Sequence, residues 1–79
     1  MNNSNIRVGL LAYGAIGHEH NLAVQNTNGL ELTAVCDTNP ERVAAAIALA
    51  PGASAFNDAS VMLDSGLLDL VVISTPPNS

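Results

Sequence analysis

One linked pattern constrains the fold. The apolar run Ile6 to Ala12, interrupted only by Arg7, leads into Gly14-Ala15-Ile16-Gly17, and Asp37 closes the next apolar run twenty positions after Gly17. An apolar run without polar alternation suits a strand buried on both faces, the situation of a parallel sheet covered by helices. Parallel neighbours need a crossover between them, and His18 to Asn26, with Leu22, Ala23 and Val24 among polar residues, predicts a helix of roughly two to three turns in that place. Thr27-Asn28-Gly29 stops it.

The rest of the chain repeats the alternation of strand and helix. Leu30 to Asp37 begins with polar alternation and ends apolar, as a strand entering the interior does. Thr38-Asn39-Pro40-Glu41 has the order of a helix start: a capping side chain, proline at the first helical position, and an acid near the positive end of the dipole. Val43, Ile47 and Ala50 then share one face, and Pro51-Gly52 ends the helix. Ser54-Ala55-Phe56 allows only a short edge strand, Asn57-Asp58 caps a brief helix through Leu63, and Leu68 to Ser74 is a second strongly apolar strand before Thr75-Pro76-Pro77. Right-handed crossovers put these strands in the order 3-2-1-4. The expectation is an α/β fold with three layers, a parallel sheet of about four strands and crossover helices, which is part of a Rossmann fold.

The turn after the first strand carries the chemistry. Amides at a helix N-terminus point at an anion, aided by the dipole, so a pyrophosphate is the expected ligand. Gly14 lets the backbone approach the phosphates and Gly17 lets the helix pack closely on the first strand. The first glycine of the G-x-G-x-x-G pattern is replaced by Ala12, so the tight turn has to hold a methyl group, and Tyr13 beside it is large enough to crowd the phosphates. Asp37 stands where a carboxylate accepts both hydroxyls of an adenosine ribose. It would repel the 2′-phosphate of NADP, residues 38 to 41 hold no Arg or Lys, and Arg42 is the nearest cation. NAD is therefore the expected cofactor and NADP the less favoured one. Asp37 also has a plainer reading, as a cap for the helix that starts near Pro40.

Composition removes several function classes. With 79 residues, 48% of them apolar, the chain makes one small domain; the net charge is −5, the basic side chains are Arg7 and Arg42, and lysine is absent. Neither a nucleic-acid backbone nor an anionic membrane is neutralised by such a surface. A phosphate-loop NTPase needs a Gly-Lys-Ser or Gly-Lys-Thr sequence and is excluded. A single Cys36 makes no internal disulfide, Met1 to Asn5 lacks a basic n-region, and no run approaches the ~20 apolar residues that span a bilayer, so a cytoplasmic location is expected. His18 and His20, two apart on a helix, point in different directions and predict no metal site. Cys36 reads as packing, Asp58, Asp64 and Asp69 as caps or solvated positions, and Ser60 and Ser74 lack the His and acid arrangement of a nucleophile. No catalytic residue is predicted.

Around these motifs the chain resembles the amino-terminal part of the Gfo/Idh/MocA oxidoreductases, the group of glucose–fructose oxidoreductase and inositol dehydrogenase. The resemblance rests on Gly14-Ala15-Ile16-Gly17-His18-Glu19-His20, on Ala34-Val35-Cys36-Asp37 with Pro40-Glu41-Arg42, and on Asp69 to Pro77, in order and at the family's spacings. It implies that Gly14, Ala15, Ile16 and Gly17 contact the pyrophosphate, Asp37 the ribose, and Ser74, Thr75 and Pro76 the adenine-to-nicotinamide side of the cofactor, with His20 structural. The family's catalytic lysine, usually in Glu-Lys-Pro, and its later Asp and His have no counterpart in this sequence. Residues 1–79 are thus expected to be a truncated NAD(P)-binding Rossmann domain without the substrate-binding domain, the cofactor module of a sugar or polyol dehydrogenase, catalytically incomplete by itself.

Two other functions are carried beside this one. A non-catalytic Rossmann-like module could keep the fold and form a homodimer or higher oligomer through the exposed edge of its fourth strand. A methyltransferase-like nucleotide site also uses a Gly-rich first turn and an acid after the second strand, but the spacing of Ala12, Gly14 and Gly17 favours a dinucleotide.

Overall fold

A computed structural model describes residues 5–12 and 14–74. Along the chain these form β1 (Ile6–Leu11), α1 (Gly14–Gln25), β2 (Leu30–Cys36), α2 (Pro40–Leu49), β3 (Ser54–Phe56), α3 (Ala59–Leu63) and β4 (Leu70–Ile73). The strands make one sheet in the order β3-β2-β1-β4, with every pair parallel. This is the 3-2-1-4 order expected from right-handed crossovers.

Helix boundaries follow local chemistry. Asn39 caps α2, its side chain accepting from the Glu41 N–H at 2.9 Å, and Pro40 fills the first turn where a missing N–H costs nothing. Asp58 caps α3 by accepting from the Ser60 and Val61 amides at 2.8 and 3.3 Å. Gly66, with φ +76, turns the chain back toward the sheet after α3. The first helix departs from the sequence expectation. It begins at Gly14 rather than His18, so both glycines lie inside its first turn. Glycine is a poor helix former, and a reading based on apolar periodicity starts the helix too late when the first turn is built for backbone access instead.

A register change in β2 fits the sheet between its layers. Val8 pairs with Leu32 but Gly9 pairs with Ala34, leaving Thr33 as an extra residue. One inserted residue reverses the side-chain alternation. Leu32 therefore joins Val8, Leu10, Val35, Ala46 and Ala50 on the face covered by α1 and α2, while Ala34 and Cys36 meet Met62 of α3 on the other. The Thr33 hydroxyl is used as well, donating to the Leu67 carbonyl in the loop that leads to β4. Between α1 and α2, fully buried Asn21 donates from Nδ2 to the Ala46 carbonyl at 3.3 Å and accepts from Gln25.

β4 is tied to β1 beyond its four-residue span. The Asp69 amide donates to the Arg7 carbonyl at 2.7 Å and the Ser74 amide to the Leu11 carbonyl at 2.9 Å. At its entry the Arg7 guanidinium grips Asp69 through Nη2 and Nε at 2.9 and 3.2 Å, while the Arg7 backbone amide adds a third donor at 2.9 Å. Leu70 and Ile73 are 46% and 62% exposed. Among the described residues no helix is long and apolar enough to cross a membrane.

Hydrogen bonds from the Arg7 side chain, and next from its amide, lower the Asp69 pKa from the ordinary 3.8 to about 2. A folded-state pKa below the unfolded one stabilises at pH above the unfolded value, and that contribution is lost as pH falls toward the folded value. Asp69→Asn should therefore lower the thermal midpoint at neutral pH, with the gap from the parent chain closing between about pH 4 and 2. Circular-dichroism melts across that range measure it; a gap that stays constant with pH would contradict this account.

Candidate functional site

Register brings the predicted positions together. Leu11 pairs with Cys36 on one side and Ile73 on the other, so Ala12, Asp37 and Ser74 are the next residues on three neighbouring strands. Their amides continue the ladder: Ala12 donates to the Cys36 carbonyl at 2.8 Å, Asp37 to Phe56 at 3.2 Å and Ser74 to Leu11 at 2.9 Å. The order β3-β2-β1-β4 reverses direction between β1 and β4, and the carboxyl ends of strands beside such a switch point are where open α/β sheets bind ligands.

Ala12 is the one non-glycine residue with positive φ among those described, at +67. The turn thus keeps the left-handed conformation that glycine normally supplies and holds the Ala12 methyl in it. Immediately after Tyr13, α1 starts at Gly14 with no acid in its first turn, so no carboxylate competes there for the helix dipole. Space at Gly14 is open: a Cβ added there would meet Arg42 Nη1 at 4.0 Å and nothing nearer. Gly17 is buried and Ile16 exposed.

Asp37 is held by its own turn. One carboxylate oxygen accepts from the Asn39 amide at 2.9 Å, and the other lies 3.9 Å from Arg42 Nη1. The cap of α2 is Asn39 rather than Asp37. The Asp37 side chain is only 7% exposed, whereas that of Arg42 is 55% exposed and can swing aside. A cleft of about 530 Å³ opens beside this carboxylate, between the start of α2 and the end of β3, with Thr38, Pro40, Val43, Phe56 and Asn57 in its wall. Its wall combines apolar side chains with a few polar groups. Sequence reasoning named Asp37 and missed this wall, because Phe56 and Asn57 reach it only through the pairing of β2 with β3.

At the end of β4 lies Ser74, read from the sequence as lacking the His and acid arrangement of a nucleophile. It does have a histidine partner: His20 Nδ1 lies 3.0 Å from Ser74 Oγ, across fifty-four residues of sequence. Ser74 is only 6% exposed, and a histidine with no third group among the described residues to orient it falls short of a nucleophile's arrangement. Cys36 is buried, and desolvation, ahead of the nearby carboxylates, pushes its thiol pKa up, away from the reactive thiolate. Among the described residues no three His, Cys, Asp or Glu side chains cluster as metal ligands do. Thr75, Pro76, Tyr13 and the Ala15 side chain lie outside the described residues.

Residues 6–79 match the oxidoreductase family with an NAD-binding Rossmann fold, Gfo/Idh/MocA. The chain belongs to this family. Inositol 2-dehydrogenase of Corynebacterium glutamicum is 35% identical over 72 residues, which cover 90% of this chain and 21% of that protein. The WlbA dehydrogenase of Bordetella pertussis, crystallised with NADH and UDP-GlcNAcA, superposes with a TM-score of 0.82 at 40% identity, over 96% of this chain and 22% of the other. The myo-inositol dehydrogenase of Lactobacillus casei, crystallised with NAD(H) and myo-inositol, gives 0.84 at 27% identity, covering 90% and 22%. The chain thus spans about a fifth of the length of these relatives. What it shares with the Gfo/Idh/MocA enzymes is their NAD-binding domain, beginning at β1.

The turn itself can be tested. A left-handed non-glycine residue costs roughly 1–2 kcal/mol, and glycine's extra unfolded-state freedom returns roughly 0.5–1 of that. Ala12→Gly should therefore stabilise the chain by about 0.5 kcal/mol, read as a higher urea midpoint with unchanged slope. A lower midpoint would show that the methyl group is a packing contact rather than a strained one.

Proposed function

We propose that this chain binds NAD as the cofactor module of an oxidoreductase acting on a CH–OH group of a sugar or polyol. The observation that carries the reading is the alignment of Ala12, Asp37 and Ser74 on adjacent strands, with α1 starting at Gly14. The donor set fits a dinucleotide. First-turn amides of α1 suit the pyrophosphate, the open space at Gly14 admits its backbone approach, and Asp37 suits the ribose hydroxyls once Arg42 moves off. The cleft walled by Val43 and Phe56 has room for an adenine beside that ribose. A bound nicotinamide supplies hydride acceptance or donation; these residues only hold and orient it.

NAD is preferred to NADP on electrostatic grounds. The nearly buried Asp37 carboxylate opposes a 2′-phosphate, and Arg42, its only described cationic neighbour in ion-pair range, is mostly exposed. By themselves the 79 residues are proposed to bind without turnover. Hydride transfer to or from a carbinol needs a proton acceptor or donor beside it, and the sequence holds no lysine to correspond to the family's catalytic one. The polyol class comes from the inositol dehydrogenases it resembles. A cytoplasmic location accompanies this reading.

Calorimetric titration with NADH tests it. Losing charge-assisted hydrogen bonds of about 1.5–3 kcal/mol each, Asp37→Ala should bind at least ~10-fold more weakly. NADPH should bind the parent chain more weakly than NADH. No polyol-dependent reduction of NAD by the pure chain is expected. Equal affinity in parent and variant would remove Asp37 from the site, and turnover would refute the binding-only claim.

A second reading concerns assembly. β4 hydrogen-bonds to β1 on one side only among the described residues, and Leu70 and Ile73 are exposed on it. Such an edge favours pairing with a second copy. Light scattering should give a dimer or larger for the parent chain, reduced toward the monomer by Ile73→Lys; a monomeric parent chain would dispose of this reading.

A further inference from the structure

We propose that His20 is a positioning residue for the dinucleotide site, holding Ser74 at the switch point between β1 and β4. The inference rests on the cofactor-binding reading above and assigns it a residue that neither Gly-rich turn nor ribose carboxylate supplies.

The geometry is specific. Ser74 ends β4 beside Ala12, and its amide is already fixed to the Leu11 carbonyl at 2.9 Å. What remains free is its hydroxyl rotor, and His20 Nδ1 at 3.0 Å takes that freedom away. His20 stands on α1, the helix whose first turn begins at Gly14. One hydrogen bond therefore couples the helix that faces the pyrophosphate to the strand end across the crevice. A serine hydroxyl has one proton and two acceptor lone pairs. When the ring accepts the proton, Ser74 can only accept from a ligand; when the ring donates, Ser74 keeps its proton for a ligand oxygen. His20 thus decides both where the hydroxyl points and which role it offers. Packing alone would be served equally by an apolar side chain of the same size.

The test uses variants that separate position from packing. Asparagine places its carboxamide atoms where Nδ1 stands and can donate or accept, glutamine carries them one carbon too far, and leucine fills space only. NADH affinity is measured by calorimetry on the 79-residue chain, with the folded fraction of each variant set by circular dichroism. His20→Leu should bind NADH about five-fold more weakly per folded molecule. His20→Asn should bind as the parent does, and His20→Leu with Ser74→Ala should be no weaker than Ser74→Ala alone. Should His20→Leu fail to fold, His20→Gln takes its place and is expected to be the weak binder. Parent-like affinity in His20→Leu or His20→Gln, or an asparagine variant as weak as leucine, would overturn the assignment. If those variants bind normally while Asp37→Ala is weakened, only the role of His20 fails. If the parent chain binds no NADH, the cofactor reading fails and the role of His20 falls with it.

Discussion

The structure depends on β1 being hydrogen-bonded along both edges. Its partners, β2 and β4, run parallel to it, and the pairs Leu11 with Cys36 and Leu11 with Ile73 set the height at which each strand stops. A parallel ladder carries no tight turn to fix its register, so register has to come from packing and from locks outside the ladder. Two such locks are present. Arg7 and Asp69 fasten β4 at the lower end, and the Ser74 amide on the Leu11 carbonyl fastens it at the upper end. Displacing β4 by one residue would break both and turn Val71 and Val72 to the wrong layers.

That register has a chemical consequence. Because the strands stop level, their next residues form one row, and the row carries a left-handed alanine, a nearly buried carboxylate and a hydroxyl. Each has an unfavourable feature that its surroundings offset. The strained Ala12 is held by the Cys36 carbonyl, and the Asp37 charge is met by the Asn39 amide and Arg42. The Ser74 hydroxyl is met by His20. Local cost, offset by neighbours, is thus concentrated at the strand ends rather than in the core.

The two layers are unequally built. The face under α1 and α2 has a long cluster from Val8 to Ala50, whereas the face under α3 relies on Met62 with Ala34 and Cys36. Val61 and Leu63 of α3 and Ile73 of β4 remain exposed. A five-residue α3 cannot cover a four-stranded sheet, so the second layer is where further surface could be buried against another molecule or chain segment.

Much of this was legible in one dimension. Apolar runs without alternation marked β1 and β4, Asn39-Pro40 and Asp58 marked two helix starts, the spacing of Gly14, Gly17 and Asp37 marked a dinucleotide-binding pattern, and the stretches around them marked the family. These signals are local: each depends on residues within a few positions, or on a spacing set by one crossover. What only the folded chain decided depends on distant residues meeting. The bulge at Thr33 is invisible in a run that is apolar on both sides of it. Asp69 reads as a cap or solvated position until β4 lies beside β1 and brings it to Arg7. His20 and Ser74 belong to separate elements, and their bond exists because α1 packs on the face of the sheet that β4 extends. Propensity and spacing act along the chain, so the sequence by itself determined the elements, their order and the family. Register and side-chain partnership act across it, and only the tertiary structure decided those.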